Sequence, residues 1–159
     1  MDTADYIAIS HNYAIYARAI DEKRFDLLEQ VFTPGAVLHY EVAGNTFDCS
    51  GAEAASAFSR FIDLCYWTNH VIAGPMIEVQ GNSAHATARV IATHLQRRPE
   101  GTMTRWEVRG SYHDSFAMTP QGWRIARRHC VCLDSDGEFL SEGVERFPAL
   151  AWTQASALG

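Results

Sequence analysis

Apolar side chains at Tyr6, Ile9, Tyr13, Tyr16 and Ile20 recur at three- and four-residue steps. Such steps return to one face of a helix, so the pattern predicts a helix over Thr3–Ile20. Asp21 comes just past the end of that stripe. Leu27, Leu28, Val31 and Phe32 predict a second, shorter helix over Asp26–Phe32. Asp26 would be its N-cap, and Pro34-Gly35 would stop it. Val37–Tyr40 then reads as a strand. Ser50-Gly51-Ala52-Glu53 has the Ser-to-Glu spacing of a capping box. It predicts a third helix with Ala54, Ala57, Phe58, Phe61, Leu64 and Cys65 on one face.

After residue 67 the hydrophobic period shortens from that of a helix to that of a strand. Strands are predicted at His70–Val79, Ser83–Gln96, Met103–Met118 and Gln121–Leu133. The breaks between them are Gln80-Gly81-Asn82, Pro99-Glu100-Gly101 and Thr119-Pro120-Gln121-Gly122. Short glycine-bearing connections between long strands make antiparallel hairpins. Helices first and a strand meander second give an α+β domain. The strands exceed the usual length of about 5–6 residues, so the sheet must curl or bulge. A curled sheet closed on one side by a long helix forms a cone with a pocket inside.

Composition narrows the class. A chain of 159 residues, 47% of them hydrophobic, is expected to form one domain with a full core. Residues 138–159 follow the last strand and read as a tail, either a lid or an oligomer contact. No apolar run is long enough to span a bilayer, and the acidic N-terminus does not resemble a signal peptide. Cys49, Cys65, Cys130 and Cys132 match no redox or zinc spacing and read as reduced thiols of a cytoplasmic protein. The formal charge of −6 argues against a nucleic-acid partner.

His70 carries the most information about chemistry. Its neighbourhood from Phe58 to Met76 is almost wholly apolar or small. An imidazole there is either held by a partner or moves a proton, because it titrates near neutrality. His94 shares strand phase with Ala86, Ala88, Val90 and Ala92, a small-residue face that leaves room for a ligand or packs under a helix. In the last strand Trp123, Ile125, Arg127 and His129 share one phase, expected to be interior, and Arg128 the other. Arg127 would hold a substrate carboxylate or pair with Asp114. His11, His39, His85 and His113 show no convergent pattern, and no metal-binding motif is evident.

Several short motifs occur in a fixed order. They are Tyr16 with Asp21, Phe32-Thr33-Pro34-Gly35-Ala36-Val37, Gly51 and Thr68-x-His70. Ile77-Glu78-Val79-x-Gly81, Gly110-x-Tyr112-x-Asp114 and Gly122-Trp123-Arg124-Ile125-Ala126-x-Arg128 follow. Together they resemble the SnoaL-like branch of the NTF2-like superfamily over roughly residues 4–133. The resemblance implies an NTF2-like α+β barrel: a cone-shaped, mixed or antiparallel sheet wrapped round the N-terminal helix.

It also implies roles. In scytalone dehydratase and the lindane dehydrochlorinase a His–Asp pair removes a proton from carbon as a leaving group departs. His70 and Asp21 match that pair, and His94 is similar in placement to a second histidine. Tyr16 stands five residues before Asp21, as in bile-acid dehydratases of the superfamily. Asp21 would otherwise cap the second helix. Many relatives carry an Asn a few residues after the histidine, where this chain has Ala73-Gly74-Pro75.

The expected function is therefore a dehydratase-, isomerase- or cyclase-type enzyme acting on a small hydrophobic ring compound, with no metal or organic cofactor. His70, Asp21, Tyr16 and His94 would be catalytic. Arg127, Trp67, Tyr40, Tyr112 and His129 would bind substrate. The alternatives are a non-catalytic small subunit, like the β chain of ring-hydroxylating dioxygenases, docked through Phe139–Leu158, and a limonene-type epoxide hydrolase. The latter needs two acids flanking an arginine, and no second inward acid is evident. A homodimer or homotrimer is expected by resemblance.

Overall fold

The computed structural model describes residues 2–149. Helix α1 spans Thr3–Asp21, with the Asp2 carboxylate accepting from the Ala4 N–H. Its buried face is Ile9, Asn12, Tyr13, Tyr16, Ala19 and Ile20, while Tyr6 and Ile7 remain exposed. The one amide on this face, Asn12, donates to the carbonyls of Gln30, Val31 and Trp123. That satisfies the buried NH₂ and anchors the helix to the chain around it.

The predicted second helix is instead a short 3-10 segment, Phe25–Gln30, and Asp26 does not cap it. The Asp26 carboxylate takes a guanidinium hydrogen bond from Arg24. The Ile125 N–H captures the Val31 carbonyl at 2.8 Å, so Phe32 begins a strand rather than ending a helix. A helix this short has too few internal bonds to resist such pairing.

Strand β1 runs Phe32–Val42 and β2 runs Asn45–Ser50. The hairpin between them turns on Ala43 and Gly44, both at positive φ (49° and 80°). Two positive-φ residues match the twist of the flanking strands. β2 escaped the sequence reading because its residues are exposed or only half-buried, so no clear alternation marks it. Helix α2 spans Ala54–Ile62. Before it, Glu53 accepts from the Ser50 N–H and hydroxyl at 3.0 and 2.8 Å, the carboxylate half of a capping box.

The remaining strands are β3 (Trp67–Gln80), β4 (Ser83–Arg97), β5 (Met103–Thr119) and β6 (Gly122–Gly137). The sheet order is β2-β1-β6-β5-β4-β3, antiparallel throughout except for β1 beside β6. The sheet is thus mixed, and β2 and β3 are its edges. Bulges at Ala73–Met76 in β3, at Leu133 and Ala126 in β6, and between Phe32 and Val37 in β1 supply the curvature. Gly110 sits at one bulge, where a Cβ would lie 2.5 Å from the Val131 carbonyl oxygen. Helix α1 packs against β3 and β6. No helix among the described residues is long and apolar enough to cross a membrane.

Candidate active site

Thr68 and His70 are two residues apart on β3 and therefore share a face. Both reach the carboxylate of Asp21, the last residue of α1. The Thr68 hydroxyl donates to Asp21 Oδ1 at 2.9 Å, and the His70 N–H donates to Oδ2 at 2.8 Å. β3 is an edge strand, so that N–H is free to leave the ladder. His70 Nδ1 lies 2.8 Å from Oδ1. Burial pushes the Asp21 carboxyl up, but the hydrogen bonds from the His70 ring and backbone, the His70 charge and the Thr68 hydroxyl together hold it below the usual carboxylate range. An ionised Asp21 accepts only, so Nδ1 carries a proton and donates it. Nε2 is left as the basic nitrogen.

The His70 ring borders a cavity of about 710 Å³ between α1, α2 and the concave face of the sheet. Its walls include Tyr16, Tyr40, Phe47, Phe58, Trp106 and Tyr112. The Tyr16 and Tyr40 hydroxyls are 3.2 Å apart. Burial raises both phenols and that of Tyr112, so all three stay protonated and able to donate near neutrality. Cys130 also lines the cavity, but burial pushes its thiol up to about 12, so it rests protonated near neutrality. Glu138, Phe139 and Ser141 of the segment after β6 complete the wall. Gln96 and Leu140 hold that segment by reciprocal hydrogen bonds of 2.8 and 2.7 Å. Lys23 donates to the Phe147 carbonyl further on.

His94 stands beside the dyad, its ring 5.5 Å from that of His70 and 4.9 Å from that of Trp106. Val90 and Ala92 line the cavity with it, whereas Ala84, Ala86 and Ala88 belong to the core. Burial, and then the nearby His70 charge, push the His94 imidazole down to about 3. It is therefore neutral at neutral pH. Its Nδ1 is buried with no hydrogen-bond partner among the described residues. A stability consequence follows from linkage. The unfolded chain protonates this histidine near pH ~6.5, whereas the folded chain resists protonation until about 3. Stability is therefore lost as pH falls through that window, by about 1.4 kcal/mol per pH unit. Denaturant unfolding at about pH 6 and pH 4 should show a His94-dependent loss of roughly 2–3 kcal/mol. His94→Gln should remove that part of the acid limb. An unchanged slope would contradict the buried neutral assignment.

Tyr16, Tyr40 and Tyr112 line the cavity as expected, but three other expected substrate contacts do not. Arg127 is exposed, and His129 is half-exposed and bonded to Glu41 on the outer face. The cause is the bulge at Ala126: Ser115 pairs with Arg127 but Phe116 pairs with Ile125. One extra residue reverses the side-chain phase, so Trp123 and Ile125 point inward and then Arg128 and Cys130 do. Trp67 shares the outward phase of Asn69 and Val71 and is 39% exposed. Trp106 is the tryptophan of the cavity wall.

Arg128, not Arg127, pairs with Asp114. Its Nε and Nη2 donate to the two carboxylate oxygens at 2.9 and 2.8 Å, and neither side chain is exposed. The guanidinium lies 4.0 Å from the Tyr112 ring centroid and 4.3 Å from that of Tyr16. Neither member of the pair borders the cavity, and no second acid joins them there. The Asp-Arg-Asp arrangement of an epoxide hydrolase is thus not assembled among the described residues. Residues 150–159, including Leu150, Ala151 and Trp152 of the expected docking element, lie outside the described residues.

Comparison with known proteins agrees with this architecture. Rv2910c, an uncharacterized protein of Mycobacterium tuberculosis, is 30% identical over 132 residues, covering 80% of this chain and 84% of the relative. The crystal structure of Kfla4162 from Kribbella flavida superposes with a TM-score of 0.75 at 25% identity, over 84% of this chain and 93% of that one. An NTF2-like superfamily protein of Salmonella enterica gives a TM-score of 0.68 at 21% identity, over 82% and 92%. Hexachlorocyclohexane dehydrochlorinase LinA-type3 from Novosphingobium barchaimii gives 0.69 at 13% identity, over 85% and 90%. A family model for the SnoaL-like domain matches residues 1–129, so the chain belongs to the SnoaL-like family, with the NTF2-like fold.

Proposed function

We propose that this protein is a general acid–base lyase or isomerase acting on a small hydrophobic ring compound bound in the cavity. The observation that carries this reading is the His70–Asp21 contact. A carboxylate held by three donors fixes the imidazole tautomer, and the ring borders an aromatic-walled cavity. His70 Nε2 removes a proton from a carbon next to a carbonyl, or from one adjacent to a carbon bearing a leaving group. Asp21 stabilises the imidazolium that forms, the role an aspartate plays in hydrolytic triads. The Tyr16–Tyr40 hydroxyl pair donates to the oxygen that gains charge. The neutral His94 ring borders the cavity beside the dyad and packs against the bound ring compound. The proton on His70 then returns to the departing hydroxyl as water, or to another carbon in an isomerisation. All of these groups belong to the polypeptide.

The cavity volume falls within the ~300–1,000 Å³ range of small-molecule sites. Its apolar walls and few polar groups favour a compound of one to a few rings with one or two oxygens. The fold likeness to a hexachlorocyclohexane dehydrochlorinase supports an elimination. Residues 138–141 act as the fixed part of a lid over the cavity mouth.

The test is incubation with a panel of cyclic ketones, β-hydroxy ketones and enones in deuterated water, followed by mass spectrometry. The expected result is loss of water or deuterium incorporation on at least one scaffold, abolished in His70→Ala. Exchange that survives in the variant would remove His70 from the chemistry.

A further inference from the structure

On the convex face of the sheet, opposite the cavity, the parallel pair of β1 and β6 brings together three side chains that no linear motif announces. His39 and Glu41 are two residues apart on β1 and share its outward face, and His39 lies in register with His129 of β6. His129 Nε2 is 2.7 Å from Glu41 Oε1, and His39 Nε2 is 3.4 Å from the same oxygen. One ligand atom from each residue fits within 4.8 Å of the others.

The fourth member explains the orientation. Asp48 of β2, in register with His39, has its Oδ1 2.6 Å from His39 Nδ1. That carboxylate accepts a hydrogen bond from Nδ1–H and turns Nε2 toward Glu41 and His129. This is the outer-shell arrangement that fixes ligating histidines in metal sites. His113 of β5 faces His129 at a ring-centroid distance of 6.3 Å, but its Nε2 is paired with the Ser111 hydroxyl at 3.0 Å. It therefore stands beside the set without joining it.

We propose that His39, Glu41 and His129 form a binding site for a divalent ion of the zinc class. Two imidazoles and one carboxylate are the donors such ions take, at about 2.0–2.2 Å each. Ligands at that distance around a tetrahedral ion stand about 3.3 Å apart, so the His39–Glu41 spacing already fits and the His129–Glu41 hydrogen bond has only to open slightly. The oxygen-loving ions magnesium and calcium are disfavoured, because two of three donors are nitrogen. Three protein ligands leave one coordination position for water or an exogenous group. The ion would tie β1 to β6, the only parallel junction among the described residues, and it lies across the sheet from His70. The site is thus independent of the acid–base reading.

Calorimetric titration of chelator-stripped full-length protein with zinc sulfate should show one saturable site and raise the thermal midpoint. Cobalt should give the visible absorption of a tetrahedral ion. His39→Ala and His129→Ala should each abolish saturable binding, and Asp48→Asn should weaken it about 10- to 100-fold. His70→Ala should bind as the unsubstituted chain does. Anomalous scattering from a zinc-soaked crystal should place the ion between His39 and His129. No saturable binding, affinity unchanged in the His39 and His129 variants, or an anomalous peak at another residue would each overturn the site.

Discussion

Asp21→Asn is expected to lower kcat/KM by about two to four orders of magnitude on any substrate the deuterium screen identifies. The same loss is expected for His70→Ala, and the double variant should be little worse than either. The reason is donor and acceptor arithmetic. Asp21 offers two oxygens to three donors: the Thr68 hydroxyl, the His70 N–H and the His70 ring. An amide has one acceptor oxygen and an NH₂ that donates. The amide introduced by Asp21→Asn would keep the Thr68 or backbone contact and turn its NH₂ toward Nδ1. That selects the tautomer with the proton on Nε2, where a base must have none. Residues that act as one unit lose their effect together, so the two losses should not add. Steady-state kinetics of the two single variants and the double variant measure this directly. Fully additive losses would mean that Asp21 and His70 act separately, and an active Asp21→Asn enzyme would end the dyad assignment.

Arg128→Met is expected to cost about 3–5 kcal/mol of stability. Arg128 and Asp114 are fully buried and joined by two parallel hydrogen bonds. Removing the guanidinium leaves a buried carboxylate with no cation to compensate it, and it also strips the stacked face from Tyr16 and Tyr112. Asp114→Leu should be similarly damaging, because it strands the arginine. The double variant Arg128→Met/Asp114→Leu should recover much of the loss, since well-packed apolar groups often replace a buried ion pair at little cost. Urea unfolding of the three variants gives the coupling. If the double variant is as unstable as the sum of the singles, the pair is not the unit described. Catalysis should also suffer in Arg128→Met, because the Tyr16 ring rests on that guanidinium.

Particular residues show how much of this was legible beforehand. Thr68-x-His70 on an alternating strand and Asp21 just past the end of an apolar helical stripe were visible in the chain, and their pairing was suggested by family resemblance. The long strands β3 to β6 are legible within a few residues, because β4 alternates along its whole length and glycine-bearing breaks separate the four. β2 is not, because an exposed edge hairpin needs no strong alternation. Continuing the phase of Trp123 and Ile125 would place Arg127 and His129 in the cavity. That step fails at Ala126, because whether a strand carries one extra residue depends on its neighbour's register. Trp67 is a pocket candidate only as an aromatic residue near His70, and its odd step from Thr68 and His70 places it outward.

The chain by itself determined the α+β class, the helix-then-meander order and the local placement of His70 and Asp21. These depend on periodicity and short-range turn chemistry, which are written in neighbouring residues. Only the tertiary structure decided which arginine is buried, and that His39, Glu41 and His129 meet on the outer face. Those facts depend on the β1–β6 pairing and the β6 bulges. The first joins segments far apart in the chain, the second depends on cross-strand register, and no local pattern encodes either.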